Sequence, residues 1–308
     1  HMNTFPLSFV VHAGDFKDNV SPCTDSRFNQ VKDSFNKSTA PFVYTPGDND
    51  WMDCDKNAGN PMDRVERLNK LREVFFPSVF HPGGVGPDGQ SLGQNRMLLT
   101  TQRQEGFPEN TRWTKQGVVF ATINAPGAND NIDYCTTPSP TCTYEAGPRR
   151  VANKAWLRQT FESAEATNAP AVMIIWQADP WQPGPQGTHN RRNWDYLMGC
   201  DDPAIADCQE PGLRQLSKAF GKPVVLVHGD THIPRIDQGG WPTKKDGGAT
   251  IEMVGAFTDV PNFTRVETYA GGLPTSGSQI PPEPKKWLRV TVDPKDPKVF
   301  SFTPETAP

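Results

Sequence analysis

Short apolar runs alternate with polar stretches along the chain, and four of the runs end at an acid or an amide. LSFVVHA leads into Gly14 and Asp15, PFVYTP into Gly47 and Asp48, AVMIIW into Gln177, Ala178 and Asp179, and PVVLVH into Gly229, Asp230, Thr231 and His232. Short runs rich in Val, Ile and Phe predict buried strands. In open α/β sheets ligands collect beyond the carboxyl ends of the strands, so the side chains that follow these runs are placed to meet at one spot. Glycine before Asp15, Asp48 and Asp230 lets the backbone turn there and aims each carboxylate off the sheet edge.

The segments between the runs carry helical periodicity. Phe28, Val31 and Phe35 share one face of TDSRFNQVKDSFNK, and Val65, Leu68, Leu71 and Phe75 form a stripe in MDRVERLNKLREVFF that Pro77 ends. ANKAWLRQTFESAEA and GLRQLSKAF each predict a helix entering the next strand, hence crossovers in a largely parallel core. From residue 250 the pattern changes to TIEMVG, NFTRVET, WLRVTV and VFSF, which predicts antiparallel strands. Residues 81–110, rich in Gly, Pro, Gln and Asn, predict loop ahead of the strand GVVFATIN. Further insertions are expected near 125–150 and 181–212. The pattern never restarts, so residues 1–308 are read as one domain.

Charge narrows the partners. The chain has 31 Lys and Arg against 35 Asp and Glu, a net charge of −4, with no basic block. Nucleic acid is therefore disfavoured as a partner. No run approaches the roughly 18 apolar residues of a membrane span, and the mean hydropathy is −0.62. Six cysteines occur without a C-x-x-C. Cys135 with Cys142 and Cys200 with Cys208 bracket short polar loops, leaving Cys23 with Cys54. Three such bridges point to an oxidising compartment, the periplasm or the exterior, with scattered reduced thiols as the alternative.

The residue types at the run ends point to a cation. Asp15, Asp48, Gln177 and Asp230 offer only oxygen, which suits Mg²⁺, Mn²⁺ or Ca²⁺ better than Zn²⁺ or Fe. Three carboxylates crowded together without a cation are expected to hold raised pKa values. Singly, each Asp would also serve a turn or a helix cap. His12 and His228 lie inside apolar runs and read as packed histidines, and Trp51, Trp176, Trp181 and Trp194 read as covers for core edges. His189, Arg191 and Arg192 either face a phosphate or form a solvated patch.

The series Gly14-Asp15-Phe16-Lys17-Asp18, Gly47-Asp48-Asn49-Asp50, Gln177 and Gly229-Asp230-Thr231-His232 resembles the calcineurin-like metallophosphoesterases in order and spacing over nearly the whole chain. Trp156 and Leu157, on the helix before the third run, also look like that family. The resemblance implies an α/β fold, a four-layer αββα sandwich of two mixed sheets. It implies a metal-dependent phosphoric ester hydrolase acting on a small-molecule or lipid phosphate ester. By position, Asp15 would bridge two metals, Asp48, Gln177 and Asp230 would be metal ligands, and His232 matches the last ligand of the pattern. Asn49 stands where the family has a His that assists the leaving group, so Asp50 or His232 would have to supply the proton. The family's opening Asp-x-His has no counterpart, because residues 1–13 contain no aspartate. Either a strand ahead of residue 1 completes the first-metal site or that site is incomplete. The second case makes a non-catalytic metal-binding or structural module the alternative function.

Overall fold

The structure is a computed structural model that describes residues 1–56, 59–77, 89–135, 144–181, 194–199, 209–232, 234–238, 260–269 and 285–307. It begins with a strand–helix–strand unit: β1 (Val10–His12), α1 (Asp25–Phe35) and β2 (Phe42–Tyr44). The two strands are parallel, with Val11 opposite Val43. Thr24 starts α1 by accepting the Arg27 N–H, which satisfies one of the orphan donors of the first turn. The short α2 (Asp48–Trp51) follows β2 directly, and α3 (Arg64–Phe75) is capped by Asp63.

An eight-stranded mixed sheet forms the centre, in the order β3-β4-β5-β6-β7-β8-β10-β9. Its strands are β3 (Gly89–Gln90), β4 (Thr100–Gln104), β5 (Phe107–Lys115), β6 (Val118–Thr122), β7 (Val172–Ile175), β8 (Val224–His228), β9 (Arg235–Gln238) and β10 (Phe263–Glu267). Strands β6, β7, β8 and β10 run parallel, joined by helices α4 (Ala146–Ala166), α5 (Asp195–Met198) and α6 (Leu213–Phe220). A separate antiparallel hairpin, β11 (Lys286–Val292) and β12 (Phe300–Thr306), ends the described chain.

Strand alternation divides the apolar side chains between two faces. Val119, Ala121, Val172, Ile174, Val224 and Leu226 face Trp156, Leu157, Phe161 and Phe220 of the helices. Their neighbours Val118, Phe120, Met173, Ile175, Val225 and Val227 face the opposite way, onto Val43, Val11, Val290 and Phe300. Burial on both faces is why these strands read as unbroken apolar runs. A third cluster packs Phe28, Phe35, Leu68 and Phe75 of α1 and α3 against Phe42 and Tyr44. No helix among the described residues is long and apolar enough to cross a membrane.

Three expectations are corrected. The stretch 81–110 is not all loop, because β4 and β5 form a hairpin from Thr100 to Lys115. Glu109, Asn110 and Thr111 in β5 are polar and buried on both faces of the strand, so no apolar alternation marks it. They are held instead by Arg72 (2.6 Å to Glu109), Asn153 (2.8 Å to Asn110) and Thr122 (3.0 Å to the Thr111 N–H). Helix α4 starts at Ala146, inside the expected 125–150 insertion, since Pro148 in its first turn loses no intrahelical bond. Finally, β10 lies parallel to β8 and is antiparallel only to β9. TIEMVG, most of the 181–212 insertion, and His189, Arg191 and Arg192 lie outside the described residues.

Cys23 and Cys54 form a disulfide with Cα atoms 5.7 Å apart. Cys142, Cys200 and Cys208 lie outside the described residues, and with them the other two expected bridges. The bridge closes a loop across a sequence separation of 31. Loop-closure entropy puts its stabilisation at about 3–4 kcal/mol. The double substitution Cys23→Ser/Cys54→Ser is therefore expected to lower the urea unfolding free energy by about that amount. A change below about 1 kcal/mol would show that the oxidised loop adds little to stability.

Candidate metal centre

The ends of β1, β2, β7 and β8 bring the four expected residues together. The close approach depends on two glycines. Gly14 has φ +89, and a Cβ there would lie 2.6 Å from the Gly47 nitrogen and 2.8 Å from Gln177 Cβ. Gly47 has an ordinary φ of −102, but a Cβ on it would lie 2.2 Å from Asp15 Oδ1. Its value is therefore lack of bulk, not turning. At the fourth run Asp230 itself, at φ +78, takes the left-handed conformation expected of the preceding glycine.

Gln177, fully buried, stands at the centre. Its Nε2 donates to Asp15 Oδ2 at 2.9 Å and Asp48 Oδ1 at 2.8 Å, and lies 3.4 Å from Asp230 Oδ1. Its Oε1 accepts the Gly127 N–H at 2.5 Å. In this arrangement the amide nitrogen, not the oxygen expected of a ligand, meets the acids. The peptide N–H needs an acceptor, which orients the amide so that its nitrogen, not its oxygen, faces the acids.

The expected catalytic residues are placed differently. Asp50 is fully buried and accepts from the N–H groups of Asp15 (3.0 Å), Phe16 (2.9 Å) and Gly47 (2.9 Å) and from the Tyr44 hydroxyl (2.7 Å). Both oxygens brace the loop behind the cluster. Asn49 reaches Asp15 through its backbone N–H, at 3.3 Å. His232 is exposed at φ +60, and no hydrogen bond between described residues joins it to the cluster. The spacing from Asp230 to His232 returns to one side only on an extended strand, and the left-handed turn breaks that geometry.

The cluster is short of positive charge. Burial first, and then Asp48, Asp50 and Asp230, hold the Asp15 carboxyl well above the usual carboxylate range. Burial and the neighbouring Asp53 raise Asp48. Burial and then Asp48 push Asp230 up to about 7. Among the described residues no Lys, Arg or His forms an ion pair with any of the three. Lys17, buried nearby, gives its ammonium to the Asp18 carbonyl at 2.9 Å. One amide group has two hydrogens for three acids. Three carboxylates from separate strand ends fit a hard divalent cation, whose bonds of about 2.0–2.6 Å would draw them inward.

A second buried cluster lies beside the first and was missed in the sequence. Asp179, His228 and Glu267 place one ligand atom each within 4.8 Å of one another. Unlike the acids around Gln177, they face a guanidinium, that of Arg265. Burial lowers His228 to about 3, so its imidazole is neutral and accepts from Arg265. The available signal was the pair Arg265 and Glu267 in the strand FTRVE, two residues apart and hence on one face.

The wall opposite is a strained turn, also missed because it was read as an insertion. Ala128, Asn129, Asp130 and Asn131 have φ of 44, 61, 55 and 58, a left-handed run that costs non-glycine residues roughly 1–2 kcal/mol each. Arg149 holds it. Its guanidinium pairs with the Asp130 carboxylate, donates to the Asp130 carbonyl at 2.9 Å and pairs with Glu145 at 2.6 Å. Gly127, at the head of this turn, abuts the acids so closely that a Cβ would lie 2.9 Å from Asp230 Oδ1.

Comparison with protein-family models gives no match, and comparison with curated proteins gives no significant similarity.

Proposed function

We propose that the chain is a metal-dependent phosphoric ester hydrolase of the calcineurin-like metallophosphoesterase type. The observation that carries this reading is the convergence of Asp15, Asp48 and Asp230 on one amide with no ion pair to any of them among the described residues. The order of the strand ends supports it. So do the three separate cores, since β1–β2 and the β11–β12 hairpin both pack on one face of the central sheet while helices cover the other. The buried disulfide supports an exported protein.

In this reading Asp15, Asp48 and Asp230 hold Mg²⁺, Mn²⁺ or Ca²⁺. When bound, such an ion supplies Lewis-acid polarisation of a phosphoryl oxygen and activates water. Gln177 keeps the acids in register, and Gly127 bounds the site beside Asp230. Asn49 can donate a hydrogen bond to a phosphate oxygen or a leaving group but cannot supply a proton. Asp50 has no free oxygen for that task. The substrate class is accordingly a small or lipid-derived phosphate ester with a good leaving group.

Nitrophenyl phosphate mono- and diesters with Mn²⁺, Mg²⁺ or Ca²⁺ test the reading. Turnover should require the metal, and Asp15→Ala should lower kcat/KM at least tenfold, about 1.4 kcal/mol in barrier. Absence of metal-dependent turnover would reject it. The second reading, a cation-binding module without catalysis, is favoured by the lack of any imidazole hydrogen-bonded to the cluster among the described residues. It predicts that Ca²⁺ raises the Tm while no ester is hydrolysed.

A further inference from the structure

Strands β8 and β10 run side by side with His228 opposite Glu267. Asp179 follows β7, so the three adjacent strand ends deliver two carboxylates and an imidazole to one point. Each turns a lone pair to the same group. Arg265 donates through Nε to His228 Nε2 at 2.7 Å and through Nη2 to Asp179 Oδ2 at 2.8 Å, with Glu267 Oε2 at 3.4 Å. Arg235 adds a second contact to Glu267 at 3.1 Å. Arg265 is 1% exposed, and its guanidinium lies 4.6 Å from the Trp181 ring centroid.

We propose that Asp179, His228 and Glu267 form a cation site whose resident cation is the guanidinium of Arg265, and that this fixed charge seats the turn carrying Asp230. The contacts run from the site to the turn. The Asp179 N–H lies 3.3 Å from Asp230 Oδ2, and the Thr231 hydroxyl donates to Glu267 and lies 3.3 Å from Asp179 Oδ2. Asp230 is left-handed, a conformation that needs such bracing in a non-glycine residue. Arg265 is thus a positioning residue that acts through Asp179, Glu267 and Thr231. Its effect on metal affinity rests on the reading proposed above; the identity of the site as a cation site does not.

The test replaces the arginine with a metal. Arg265→Ser leaves two carboxylates and an imidazole around a vacated position, a mixed set that suits Zn²⁺ or Co²⁺. The full-length variant is expected to bind one Co²⁺ more than the wild type, with a Tm gain of about 5 °C over its metal-free form. Adding His228→Ala should remove the extra Co²⁺. A packing role for Arg265 would show no such rescue. The proposal is overturned if Arg265→Ser binds no more Co²⁺ than the wild type, or if the double variant still binds it. A variant that does not fold is refolded from urea with and without Zn²⁺: recovery only with Zn²⁺ supports the site, and no recovery overturns it. Wild-type protein that binds no Mn²⁺, Mg²⁺ or Ca²⁺ would defeat the proposed function and leave the Co²⁺ result to decide this site.

Discussion

Asp230→Asn is expected to raise the Tm of the metal-free protein at pH 8 and to abolish its stabilisation by divalent cations. In the folded state Asp230 keeps its proton up to about 7, against a usual value of 3.8. The unfolded chain releases that proton near 3.8, so between these values the folded state binds more protons and stability falls as pH rises. The loss begins near pH 4, is complete above about 7, and amounts to about 1.4 kcal/mol for each pH unit of that window. Asp15 and Asp48 titrate with Asp230, and the raised values belong to the group rather than to one residue.

Buried histidines act with the opposite sign. His12 is lowered to about 4 and His228 to about 3, both by burial, so each costs stability as pH falls below 6.5. A bare pH profile mixes the two effects. The difference between wild type and Asp230→Asn isolates the acids and should grow from pH 4 to 7 and then level off. At pH 8 a hundredfold excess of Mn²⁺ or Ca²⁺ over Kd should stabilise the wild type by about 2.7 kcal/mol and leave Asp230→Asn unchanged, which narrows the gap between them. Parallel pH profiles for the two proteins without metal would mean that the acids do not repel one another, and the case for a cation would fall.

Arg149→Met is expected to cost about 3–5 kcal/mol, measured by urea unfolding. Arg149 and Asp130 are both fully buried, and burial already pushes Asp130 up to about 6 despite its partner. Removing the guanidinium strands Asp130 and Glu145 without it, frees the Asp130 carbonyl and leaves the Asn124 carbonyl to Asn153 alone. The left-handed run from Ala128 to Asn131 then has little to keep it in place, and Gly127 loses its fixed position against Gln177 and Asp230. Asp130→Asn in the same chain should recover part of the loss by removing the stranded charge. A cost under about 1 kcal/mol would show that the turn holds itself.

Much of the site was legible because it follows from strand ends. Asp15, Asp48, Gln177 and Asp230 each come directly after an apolar run or one residue beyond it, and the structure brings all four together. What the sequence hid depends on contacts between distant segments. The orientation of Gln177 is decided by the Gly127 N–H, from a stretch read as an insertion. The role of Asp50 is decided by three backbone N–H groups and a tyrosine that converge on it. The β4–β5 hairpin buries the polar residues Glu109 and Asn110, which Arg72 and Asn153 satisfy. Asn129, Asp130 and Asn131 are residue types that tolerate the left-handed region, but only the contacts of Arg149 show that they take it in succession with Ala128.

The disulfide divides the acids into unequal partners. Asp48 lies inside the covalent loop closed by Cys23 and Cys54, and Asp15 lies just ahead of it, whereas Gln177 and Asp230 join them through hydrogen bonds alone. Heat or urea that frays the assembly leaves Asp48 on an intact ring, with Asp15 on the short segment leading into it, after the other two have departed.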